Sequence, residues 1–129
     1  MTDLERAIAH LPGHTLVLCR GEDTLISDKR GVAPMVDFWQ EGRDLRGYSA
    51  ADRIVGRAAA MLFIRAGIGA LYAETLSEGG LALLQAYHIP VQYGTLTSAI
   101  LKQKTFWSMK TIVTYLTQIN KATLITQKK

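Results

Sequence analysis

Apolar and polar positions alternate along the chain in blocks whose period changes several times. In Thr2–Leu11, Leu4, Ile8 and Leu11 fall on one helical face, and Thr2 with Glu5 has the spacing of a capping box, so a helix is expected that ends at Pro12-Gly13. Thr15–Arg20 and Thr24–Asp28 are short apolar runs flanking the turn residues Gly21-Glu22-Asp23, the pattern of a β-hairpin. Gly31 opens a loop. Ala33–Gln40 then reads as a short helix whose Met35, Phe38 and Trp39 can cover a sheet.

A polar connection, Gly42–Tyr48, leads to Ser49. The pattern from Ser49 to about Ala66 reads as one long helix, with Ser49 as N-cap and Asp52 at the third helical position. Every residue from Ala58 to Ile64 is apolar, so this helix is expected to be surrounded by protein. Gly56 and Ala60, four apart, would admit a close neighbour, and Gly67 stops the helix. Ile68–Thr75 is a nearly continuous apolar run, as in a strand buried on both faces. Ser77–Tyr87 reads as a helix, Val91–Leu96 as the next strand and Phe106 to about Asn120 as a last helix. Strands separated by helices call for right-handed crossovers and a parallel core.

At 129 residues, the length suits one domain. We take residues 1–120 as that domain and 121–129 as a frayed basic tail. The amino end is acidic and polar, unlike a signal peptide, and the longest apolar stretch, Ala58–Ala73, is interrupted by Arg65, Gly67 and Gly69, too short for a transmembrane helix. A single cysteine, Cys19, excludes an intrachain disulfide and reads as a buried, inert thiol. A cytoplasmic protein is the expectation, with no membrane partner.

Charge changes the picture in one respect. Residues 1–78 hold 9 Lys+Arg and all 11 Asp+Glu, whereas residues 79–129 hold six Lys and no acid. The basic end alone could attract nucleic acid, but no aromatic residues are interleaved with it as a single-strand binder would use.

The segment Ala51-Asp52-Arg53-Ile54-Val55-Gly56-Arg57-Ala58-Ala59-Ala60 resembles the A-D-K-x-x-G-K-A-A-A signature of a small, uncharacterised prokaryotic family with a cytidine-deaminase-like fold. The resemblance covers roughly residues 2–101. It implies an α/β three-layer sandwich, a mixed sheet made of the N-terminal hairpin plus parallel strands and flanked by helices. The family's late N-R and C-P-x-E motifs are replaced here by Lys102-Gln103 and by Trp107-Ser108-Met109-Lys110.

Zinc deaminases need His or Cys with Glu at one helix start and a cysteine pair at the next. The corresponding starts here read Ser49-Ala50-Ala51-Asp52-Arg53 and Ser77-Glu78-Gly79-Gly80, and His10, His14 and His88 are scattered. No metal, no cofactor and no zinc-dependent deamination are therefore expected of these residues. Helix starts favour anions, so Ser49, Asp52, Arg53, Ser77 and Glu78 are the candidate residues for a small anionic or nucleotide-like ligand. Capping by itself accounts for Ser49, Asp52, Ser77 and Glu78 equally well. Asp28-Lys29-Arg30-Gly31 could face the same pocket. Two other readings remain: a self-associating, homodimeric interaction module driven by Phe38-Trp39 and Phe106-Trp107, and a metal-independent enzyme using Asp52 as acid and base.

Overall fold

In the computed structural model, which describes residues 1–98, the first helix is Asp3–His10 (α1). The expected capping box is present: Thr2 Oγ1 accepts from the Glu5 amide at 3.1 Å, and Glu5 Oε1 accepts from the Thr2 amide at 2.9 Å. Leu16–Arg20 (β1) and Asp23–Ser27 (β2) form the antiparallel hairpin, with Gly21 at φ 59° in its two-residue loop. Ala33–Gln40 (α2) follows, entered through Pro34, whose fixed φ suits the first helical turn.

The next element departs from the sequence reading. Ser49–Val55 is a strand (β3), and the helix after it is only Arg57–Ala66 (α3). Ser49 and Asp52 have the spacing of a helix start, but tertiary context overrides that local signal. The segment pairs antiparallel with β1 and parallel with the strand Ala70–Ser77 (β4), and Ala50 and Ala51 are fully buried on opposite faces. Small alanines suit a central strand that is packed closely on both sides. Gly56, expected inside the helix, is instead its N-cap, and the chain leaves the strand there in an extended conformation. Gly67 ends α3 at φ 79°, and the amides of Gly67 and Ile68 close back on Ile64 and Phe63.

Ser77 caps Glu78–Ala86 (α4), accepting from the Gly80 amide at 2.9 Å, and Val91–Thr97 (β5) completes the described chain. The sheet order is β2-β1-β3-β4-β5, with β3, β4 and β5 parallel. The final helix expected over 106–120 and the tail 121–129 lie outside the described residues.

Two apolar layers enclose this sheet. On one face α1 supplies Ala7 and Leu11 against Val17, Cys19 and Ala51, with Ile8 and Tyr72 alongside. Cys19 is 0% exposed there, the buried thiol expected from its apolar neighbours. On the other face α2, α3 and α4 supply Met35, Phe38, Ala60, Phe63 and Leu84 against Leu16, Leu18, Ala50, Leu71 and Ala73. The result is the expected α/β class, a mixed sheet with helices on both faces. The layers are unequal. Five strands at about 4.8 Å spacing are some 20 Å wide, and one helix about 10 Å across covers about two of them. α1 accordingly packs mainly on β1 and β3. Among the described residues no helix is long and apolar enough to cross a membrane.

Candidate functional site

The two parallel crossovers share a feature that sets the site. β3 passes into α3 through Gly56 alone, and β4 passes into α4 with no intervening residue, Ser77 being both last in the strand and the cap of the helix. Two helices that begin directly above neighbouring strands bring their amino ends together at the carboxyl edge of the sheet, the usual ligand position in open α/β sheets. Glycine makes the approach possible. A Cβ at Gly80 would lie 3.2 Å from the Gly56 carbonyl oxygen, and one at Gly79 would lie 3.0 Å from Arg57 Nε. The Arg57 side chain thus crosses the start of α4.

The starts differ in how their amides are satisfied. Ser77 serves α4, whereas α3 has no side-chain cap among the described residues. Arg57 is exposed and makes no ion pair or side-chain hydrogen bond among the described residues. The guanidinium and the start of α3 thus lie together at this edge, with the exposed carboxylate of Glu78 at the start of α4.

The five candidate residues do not share one place. Ser77 and Glu78 are at this edge. Ser49 is buried at the opposite end of the sheet, aligned with Ala70, about 23 Å from Ser77 at strand rise. Asp52 lies in mid-strand on the face covered by α2, α3 and α4, aligned with Leu16 on one side and Ala73 on the other. Its Cα is about 13 Å along the strand from Gly56, so it neither caps a helix nor sits at a helix start. Part of the Asp52 surface still meets solvent, but its carboxyl is enclosed by protein. That burial pushes its pKa up to about 7, against the lowering effect of the Arg53 and Ile54 amides.

Arg53 points to the α1 face. Its Nη1 donates to both Glu74 oxygens, at 3.0 and 2.7 Å, its Nε to the His14 carbonyl at 2.6 Å and its Nη2 to the Leu11 carbonyl at 3.5 Å. The guanidinium is committed to fastening the end of α1 and the following loop to β3 and β4. Beside it an open depression of about 310 Å³ is lined by Ile8, Leu11, Pro12, Gly13, Arg53, Tyr72 and Glu74. Of the charged turn, Asp28 Oδ1 lies 2.6 Å from His14 Nδ1, and Lys29 pairs with Asp37. Among the described residues no group of three or more His, Cys, Asp and Glu side chains is placed to hold a metal ion.

The sequence pattern places Gly56 inside a helix, and that placement hides Arg57. Taken as a cap, Gly56 puts Arg57 at the first helical position, a signal that the run Val55-Gly56-Arg57-Ala58 does contain.

No curated protein matches the chain. Among solved structures, a DUF1893 family protein from Thermotoga maritima superposes with a TM-score of 0.71 at 19% identity, over 98% of this chain and 91% of that one, which shows a shared fold. A diaminohydroxyphosphoribosylaminopyrimidine deaminase/5-amino-6-(5-phosphoribosylamino)uracil reductase from the same organism matches with a TM-score of 0.49 at 16% identity, over 70% of this chain and 34% of that one. The model of a domain of unknown function, DUF1893, matches residues 6–127, nearly the whole sequence, and the chain belongs to that family.

Proposed function

We propose that this protein binds a small anionic, nucleotide-like ligand where α3 and α4 begin. The observation that carries the reading is the placement of Arg57, exposed and without an ion pair among the described residues, across Gly79 and at a first turn of α3 that no described side chain caps. A phosphate or carboxylate there would receive main-chain N–H groups and a guanidinium together. Ser77 and Gly80 shape the floor, and Glu78 at the rim selects against excess negative charge. Ser49 and Arg53 have no part in this site.

Thermal-shift and calorimetric titrations with inorganic phosphate, AMP and CMP test it. At least one should raise the melting temperature of the wild type, and Arg57→Ala should abolish that rise while leaving the unliganded melting temperature within about 2 °C, as expected for an exposed side chain. The reading fails if none of the three stabilises the protein, or if Arg57→Ala responds like the wild type.

A second reading, a metal-independent enzyme with Asp52 as acid and base, is motivated by the burial that pushes the Asp52 carboxyl up to about 7. It calls for a substrate group reaching the helix-covered face of β3. The self-association reading loses one of its supports. Phe38 is only 9% exposed and packs in the core, so Phe38-Trp39 cannot present two aromatic rings to a partner. Phe106 and Trp107 lie outside the described residues.

A further inference from the structure

We draw no further inference here: the strongest candidate, the open depression between the end of α1 and the sheet lined by Ile8, Leu11, Tyr72 and the Arg53–Glu74 pair, carries nothing because that pair is spent on itself and on main-chain carbonyls and nothing among the described residues shows what covers the apolar remainder.

Discussion

Replacing Asp52 with asparagine should make the protein more stable at neutral and alkaline pH, and the gain should vanish in acid. A carboxyl near 3.9 in the unfolded chain and about 7 in the fold differs by about 3 pH units, and each unit corresponds to about 1.4 kcal/mol. The sign follows from proton binding. Between those values the folded state holds the proton more tightly than the unfolded chain, so stability is full below about pH 4, declines as pH rises, and levels off above about 7. The upper limit of the decline is about 4 kcal/mol. Because part of the Asp52 surface still meets water, roughly half of that is the expected size. Asparagine keeps the shape and an oxygen that can accept the same amides but has no proton to lose. Urea unfolding of both proteins at pH 4.5, 6, 7 and 8 isolates the effect, since every other titrating group is common to the two. The difference in unfolding free energy should stay below about 1 kcal/mol at pH 4.5, where the unfolded carboxyl has begun to ionise, and should reach about 2 kcal/mol in favour of Asp52→Asn at pH 8. Parallel pH profiles, or an asparagine variant less stable at pH 8 than at pH 4.5 relative to wild type, would refute the reasoning.

Other substitutions probe the supports of the fold. Arg53→Ala should lower stability by about 1–2 kcal/mol, more than a surface ion pair is worth, because the His14 and Leu11 carbonyls lose their donor as well, and Arg53→Lys should recover only part of it for want of a forked guanidinium. Ser77→Ala should cost about 1 kcal/mol by leaving the Gly80 amide without its cap, read as a shifted denaturation midpoint at unchanged slope. Gly67→Ala should cost about 1–2 kcal/mol, since φ is 79° and a Cβ would sit 2.8 Å from Arg46 Cγ, while Gly13→Ala, at φ 87° with open space around it, should bear the backbone strain alone and cost less. A reversed order for the two glycines would show that crowding by Arg46 is relieved at no cost.

The parts of the fold legible in the sequence are those whose local signals agree with their tertiary setting. The Thr2/Glu5 box, the Gly21 hairpin, the Ala33–Gln40 helix, the Gly67 stop and the Ser77 cap all form where the residues place them. The strand expected over Ile68–Thr75 runs two residues later, over Ala70–Ser77. What misled was Ser49–Val55. Serine, alanine and aspartate favour helix starts, and nothing local marks a strand whose alanines are chosen by helices packing on both faces. That single error moved the site. It placed Asp52 and Arg53 at a helix start and hid Arg57, which occupies one. Ser77 and Glu78, on a correctly read element, are where a site can be.

Asp52 and Arg53 are adjacent in sequence, yet one faces the three-helix layer and the other faces α1. Such a pair forbids β3 from sliding. A shift of one residue would drive a guanidinium into the apolar layer between the sheet and α3, where an unpaired cation is very costly. A shift of two would keep each side chain on its own face but carry Arg53 away from Glu74 to a position beside Tyr72 or Leu76. Alanine-rich strands have few bulky side chains to fix their alignment, and here two neighbouring polar side chains do it in their place.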